Sequence, residues 1–319
     1  MGHLQESSHG LSRMHWRGLM PRSVRRRHAF RKTVQFFSLA AMNLHLSGLI
    51  TGRLFTGTSK LFCVPGLHCY SCPSSVLACP LGSLQSVISS PGFLAGISSG
   101  SPQALTVLGV LGFILLPGFL AGSVACAYVC PFGLLQELLY RIPSPKLSVP
   151  RAWRHGRIVV ALLFVLLLPL FLKPSPASAG NPWFCKVVCP EGTLAAGWPL
   201  ALHDGGETLD LGFLFGWKSA ILVLVLVWAV VSKRPFCRVL CPLGAIWGAA
   251  GKVSLFRMRV DSSCIECDRC TEVCPVDLAI YKHPDSASCI RCGECIRACP
   301  VDAISHSMAK PGGDGEKHG

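Results

Sequence analysis

Charge is scarce in this sequence. Asp, Glu, Lys and Arg make up 14% of its 319 residues, against about 25% in soluble globular domains. Acidic residues are the scarcest, 16 against 30 basic ones, while half of the chain is hydrophobic. That balance argues against an ordinary soluble domain and for a bilayer as the solvent. Also missing are the arrangements that carry hydrolytic and nucleotide chemistry. No Ser-His-Asp order, phosphate-binding loop or dinucleotide glycine pattern stands out. The formal net charge is +14, and a basic run can mean nucleic acid. Here the densest run, Arg22, Arg25, Arg26, Arg27, Arg31 and Lys32, adjoins an apolar segment. That is the position of a cytoplasmic membrane flank, so no nucleic-acid partner is expected.

Four apolar segments follow: Val34 to Leu54, Ala104 to Ala125, Ile158 to Leu172 and Leu211 to Val231. A helix needs roughly 20 residues to cross the hydrocarbon core. The second segment fits best, the third must borrow flanking residues, and the fourth carries Lys218 near one end, where it can snorkel. Gly112, Pro117 and Pro169 are tolerable because neighbouring groups satisfy the freed backbone. The Arg-Arg-x-x-Phe-x-Lys run from Arg26 to Lys32 reads as an uncleaved flank, with twin-arginine spacing off by one. Basic residues mark the N-terminus, the connection with Arg141, Lys146, Arg151, Arg154 and Arg157, and the stretch from Lys233 to Arg259. The connection from Lys173 to Trp217 holds Glu191, Asp204, Glu207 and Asp210. The expectation is an inner-membrane, multi-pass protein with both termini cytoplasmic and lipid as a partner. Its fold class is an all-α transmembrane bundle of about four spans plus a small α+β ferredoxin domain. The expected division is a basic segment 1–33, a membrane domain 34–256, a ferredoxin-like domain 257–308 and a tail 309–319.

What the chain has in abundance is cysteine, 18 in all. Two runs near the C-terminus read Cys264-x-x-Cys267-x-x-Cys270-x-x-x-Cys274-Pro275 and Cys289-x-x-Cys292-x-x-Cys295-x-x-x-Cys299-Pro300. This doubled spacing is that of two-cluster bacterial ferredoxins, in which the fourth cysteine of each run ligates the other cluster. Cys264, Cys267, Cys270 and Cys299 are therefore expected to hold one [4Fe–4S] cluster, and Cys289, Cys292, Cys295 and Cys274 the second. Zinc knuckles use four-cysteine sites of different spacing.

A second pattern, Cys-Pro-x-Gly, occurs four times, at Cys79–Gly82, Cys130–Gly133, Cys189–Gly192 and Cys241–Gly244. In the last three a further cysteine, Cys126, Cys185 or Cys237, precedes by four residues. In the first, that position is Ser75, with Cys69 and Cys72 upstream. With four spans the elements alternate between faces. Cys126, Cys130, Cys237 and Cys241 collect on the inner face. Cys79, Cys185 and Cys189 collect on the outer face, with Cys69 or Cys72 as the fourth. Each set is a candidate site for a further iron–sulfur cluster or a redox-active thiol pair. Disulfides or simple packing are the plainer alternatives, disulfides above all on an oxidising outer face. Proline clears the loop of a backbone donor and glycine admits close approach.

The spans, the Cys-x-x-x-Cys-Pro elements and the terminal double ferredoxin together resemble the NapH/NosR-type membrane polyferredoxins over roughly residues 34–300. His68-Cys69-Tyr70-Ser71-Cys72-Pro73 with Ala78-Cys79-Pro80-Leu81-Gly82-Ser83-Leu84-Gln85 looks like one branch of that group. The resemblance implies single-electron exchange among the quinone pool, the cytoplasmic side and an extracytoplasmic redox partner protein, such as an oxidoreductase. It makes quinone a candidate cofactor. The large flavin-binding domain of the NosR branch has no counterpart here, so covalent flavin is not expected. The competing function is an assembly or thiol-reducing factor, with Cys185 and Cys189 as working thiols that keep an outer metal centre or disulfide reduced. A redox sensor would need an output domain, which is not visible. His45 reads as a hydrogen-bonded histidine within the first apolar segment, with a quinone or haem contact as the functional alternative. His68 is either a loop residue or a donor or ligand to a cluster. Glu137 is expected at the inner interface, and Trp153, Trp183, Trp198 and Trp217 in an aromatic belt.

Overall fold

The computed structural model describes residues 22–90, 102–172, 182–203, 212–284 and 286–308. Residues 1–21, Asp204, Glu207, Asp210 and the tail from 309 lie outside the described residues. The described chain is mostly helical, and one hydrophobic core gathers all four Cys-Pro-x-Gly elements.

The first apolar segment is not one helix. A helix Arg22–Met42 ends at Met42, and a turn separates it from the short helix Ser47–Thr51. Polar side chains hold that break. The Asn43 amide donates to the Leu39 carbonyl at 2.9 Å, and the His45 ring lies 2.9 Å from the Pro73 carbonyl. Gly52, at φ 67°, then ends the short helix in the left-handed region that glycine enters without strain. Thus the expected span over 34–54 is interrupted, and His45 serves the turn.

Among the described residues, two helices are long and apolar enough to cross a membrane, Ala152–Phe171 and Phe213–Val231. The third apolar segment does borrow residues, from its N-terminal side, and passes through a π-helical stretch, Ala161–Leu167. The second segment forms the helix Pro102–Ala121, with Pro117 inside it. The Trp247 indole donates to the Ile114 carbonyl at 2.8 Å, beside the turn where Pro117 withholds an N–H. These helices leave Leu115, Leu116, Leu162, Leu166, Leu224 and Val227 exposed. A soluble core helix would bury them; this apolar exterior suits lipid. The C-terminal end of Phe213–Val231 is closed by the 144–147 segment. Leu147 N–H donates to Val231 O at 2.9 Å and the Lys146 ammonium to Val230 O at 2.8 Å, a cation placed at the negative pole of the helix.

The C-terminal region is small and ferredoxin-like. Strands β1 (Phe256–Val260) and β2 (Ile304–Met308) pair antiparallel, from Phe256 opposite Met308 to Val260 opposite Ile304. Between them lie two cysteine loops, each followed by a one-turn helix, Arg269–Val273 and Glu294–Ala298. Left-handed residues recur at a constant offset: Glu266 and Arg291, Asp268 and Gly293, Asp277 and Asp302. Each pair is separated by the interval that separates Cys264 from Cys289, so the two halves repeat in backbone shape as well as in sequence.

This region docks on the helices through named bonds. Arg291 donates to the carbonyls of Ala121 (3.2 Å) and Gly251, Arg154 to Asp277 O (3.0 Å), and Tyr128 to Cys292 O (3.2 Å).

Candidate metal centres

The four Cys-Pro-x-Gly elements share one local structure, and its logic is that of a helix start. Cys79, Cys130, Cys189 and Cys241 are each the N-cap of a helix, with extended backbone, and the proline is its first residue. Proline suits that position because its missing N–H would find no partner there. The glycine falls third, where its N–H can reach the capping side chain. Gly192 N–H donates to the Cys189 sulfur and Gly244 N–H to the Cys241 sulfur, both at 3.4 Å. The preceding cysteines Cys126, Cys185 and Cys237 sit on short helices, Val124–Tyr128, Trp183–Val187 and Pro235–Val239.

The elements pair one with three and two with four, in matching ways. Gln85 accepts the Phe184 N–H at 2.8 Å and donates to the Cys185 sulfur at 3.6 Å. Gln136 accepts the Phe236 N–H at 3.2 Å and donates to the Cys237 sulfur at 3.2 Å. Both glutamines are fully buried, so each fixes one pairing by satisfying a backbone donor that no water reaches.

Cys126, Cys130, Cys237 and Cys241 together line one cavity, closed by Leu67, Phe132, Arg157, Val276 and Ile290. In the other set, Cys69, Cys79, Cys185 and Cys189 are near enough to act on one another electrostatically. Cys72 turns elsewhere, its sulfur 3.1 Å from Ser74 Oγ and 3.7 Å from Asn43 Oδ1. Of the two cysteines open for the fourth place, Cys69 joins the set. Cys63 lies at its border, its thiol donating to Ser83 Oγ at 3.7 Å.

The two sets are near neighbours within one core. Leu67 lines the first cavity, and its N–H bonds the Cys130 sulfur. The next N–H, that of His68, bonds the Cys79 sulfur of the second set. A Cβ on Gly66 would lie 3.3 Å from Cys130 Cα, a tight contact that glycine avoids. The segment 66–69 is therefore the wall between the sets. The His68 ring is buried, and neither of its nitrogens has a hydrogen-bond partner among the described residues; Nδ1 is 3.7 Å from Glu191 Oε1.

A second cavity is lined by Cys274, Cys289, Cys292 and Cys295, the grouping expected from the crossed spacing. It shares Val276 and Ile290 with the first. Burial pushes the Cys289 thiol up to about 11 and Cys292 to about 12, so loading a metal there must expel protons. Cys264 and Cys270 are neighbours, while Cys267 is exposed and Cys299 half-buried. Among the described residues no three His, Cys, Asp or Glu side chains converge tightly enough for a single metal ion. Four thiols spread around a cavity fit a polynuclear iron–sulfur centre, which is held by cysteine thiolates. No disulfide is formed by any of the 18 cysteines.

Beside the first cavity lies a buried ion network that the sequence did not announce. Glu137 accepts both guanidinium nitrogens of Arg31 at 2.9 Å, meets Arg234 at 2.6 Å and pairs with Lys32. Arg31 also reaches Glu294 of the ferredoxin-like region at 3.1 Å. Burial alone would raise the Glu137 carboxyl pKa; Arg234 and Arg31 outweigh it and hold the group well below the usual carboxylate range.

Comparison with known proteins agrees with this chemistry. A family model described as a 4Fe-4S binding domain matches residues 103–150 and 215–261, and a second model of the same description matches 283–305. The first covers elements two and four, the second the later cysteine run. An uncharacterized protein of Methanocaldococcus jannaschii is 30% identical over 212 residues, 64% of this chain and 78% of that one. The chain belongs to the NapH/NosR-type polyferredoxins. The ferredoxin-type protein NapH of Haemophilus influenzae is 27% identical over 177 residues, 54% of this chain and 55% of its own length. The regulatory protein NosR of Pseudomonas aeruginosa is 29% identical over 174 residues, 51% of this chain and 21% of that one. The chain thus spans about half of the former and a fifth of the latter. No solved structure matches it. As a polyferredoxin it carries [4Fe–4S] clusters and transfers electrons, and its apolar helices mark it as a membrane protein.

Gln85 and Gln136 were missed by sequence reasoning, although a signal existed. Each lies six residues after the cysteine of its element, visible once the elements are aligned. Arg234 and the buried role of Glu137 carried no comparable signal.

Proposed function

We propose that this polyferredoxin is a membrane-embedded conduit for single electrons, with four [4Fe–4S] clusters in a row. In order they are held by Cys264, Cys267, Cys270 and Cys299; by Cys274, Cys289, Cys292 and Cys295; by Cys126, Cys130, Cys237 and Cys241; and by Cys69, Cys79, Cys185 and Cys189. One observation carries the reading: neighbouring cysteine sets share their walls. Val276 and Ile290 wall both the second and the third site, and Leu67-His68-Cys69 separates the third from the fourth. The clusters supply one-electron chemistry; the chain supplies thiolates, excludes water and fixes spacing. Termini on the cytoplasmic side, a quinone or lipid-phase donor and an extracytoplasmic redox protein complete the proposal. The remaining apolar helices pack around the two spans to give about four membrane passages in all. The rival thiol-exchange role asks for accessible, low-pKa thiolates, and Cys189 is buried.

The test is iron and acid-labile sulfide on anaerobically purified chain, with EPR. Four clusters per chain are expected, and Cys126→Ser and Cys185→Ser should each remove about one cluster's iron. Two clusters in the parent, unchanged in both variants, overturns the membrane sites.

A further inference from the structure

The two membrane-domain sites are built alike but charged oppositely. Three of the four Cys-Pro-x-Gly elements carry a buried apolar residue in the third place, Leu81, Phe132 or Leu243. The remaining one, Cys189–Gly192, carries Glu191, 5% exposed, whose ion-pair neighbour among the described residues is His68 at 3.7 Å. Around the other set the departure is a cation. Arg234 is 1% exposed and stands three residues before Cys237, where the matching position before Cys185 is Pro182. Its Nη1 donates to Cys126 O at 2.8 Å, and its guanidinium occupies the space where a Cβ on Gly133 would lie 3.1 Å away. Arg234 holds a left-handed backbone, φ 43°, to do so, a conformation that costs energy in a side chain other than glycine. The surrounding network is net positive: Arg31, Lys32, Arg234 and Arg297 face two carboxylates, Glu137 and Glu294. Arg157 and Arg238 also line that cavity. The lysines that act on the Cys69 set, Lys60 and Lys218, are both partly exposed, where water weakens their field.

A cluster gains negative charge on reduction, so a buried cation favours its reduced form and a buried anion its oxidised form. We propose that Arg234 and Glu191 poise the two sites at different potentials, with the Cys126/Cys130/Cys237/Cys241 centre the more easily reduced. This rests on the four-cluster reading. Electrons then run downhill from the Cys69/Cys79/Cys185/Cys189 centre towards the ferredoxin-like region, and movement the other way must be driven by a stronger donor.

The experiment is an EPR-monitored redox titration of the full chain with dithionite, signals being assigned by their loss in Cys126→Ser and Cys185→Ser. Glu191→Gln should raise the potential of the Cys185-dependent signal and leave the other unmoved. Arg234→Gln should lower the Cys126-dependent signal, and Arg234→Lys should restore it most of the way. On the order of a tenfold change in the reduction equilibrium is expected, about 59 mV for one electron. If Arg234→Gln does not fold, Glu191→Gln and Arg234→Lys still decide. Four clusters with equal potentials, or with Glu191→Gln shifting nothing, overturn this inference alone. Two clusters in the parent protein overturn the reading beneath it.

Discussion

Glu137→Gln removes the anion on which three cations converge. At an effective dielectric of about 20, a charge pair some 4 Å apart is worth about 4 kcal/mol. Arg31 and Arg234, at 2.9 and 2.6 Å, supply two such pairs. Desolvation and the mutual repulsion of the guanidinium groups offset part of that gross gain. Breaking a buried pair by deleting one partner costs about 3–5 kcal/mol, because the other charge stays buried. Against a total stability of about 5–15 kcal/mol, that loss is large. It should appear in denaturant unfolding of detergent-solubilised protein, together with faster proteolysis of the ferredoxin-like region, which Arg31 ties down through Glu294. The carboxyl titrates below its unfolded value of about 4.3 when the chain is folded. Its contribution is therefore complete above that unfolded value and fades as pH falls towards the folded one. Parent and variant should converge in acid. A loss under about 1 kcal/mol at neutral pH, or a gap that widens in acid, refutes the network as a structural tie.

The buried glutamines give a paired prediction. Gln136→Leu orphans the Phe236 N–H and Gln85→Leu the Phe184 N–H, each costing about 1–3 kcal/mol, read as a lowered unfolding midpoint. Should each also shift the EPR signal of its own cysteine set only, the one-with-three and two-with-four pairing stands; a shift in the wrong signal rejects it. Cys69→Ser should cost one cluster's iron and Cys72→Ser none, since the Cys72 sulfur faces Ser74 and Asn43. The opposite result in iron quantitation exchanges their roles.

Spacing made the ferredoxin-like region legible, because a cysteine run fixes both ligand chemistry and loop length. The same spacing groups Cys274 with the later run, and the fold sets it on one cavity with Cys289, Cys292 and Cys295. The expectation of four alternating loops grouped element one with three and two with four, and the same elements are bonded to each other through Gln85 and Gln136. The separation of the two sets was not readable. Hydropathy treats residues 34–54 as one span, yet two polar side chains, Asn43 and His45, close a turn within it through carbonyls it cannot see. The same blindness hid the approach of 66–69 to Cys130, a matter of one glycine and two backbone N–H groups. Arg234 and Glu137 read as flank and interface residues because burial of charge depends on partners distant in sequence.

The capping geometry has a consequence for solvation. A cubane bound by four thiolates is an anion, and hydrocarbon is a poor host for anions. Each Cys-Pro-x-Gly turn begins a helix at the sulfur itself, so peptide dipoles present their positive ends to the cofactor. On the proposed reading, the main chain therefore adds its own positive field to that of the buried arginines, and a cluster anion can be held within an apolar bundle.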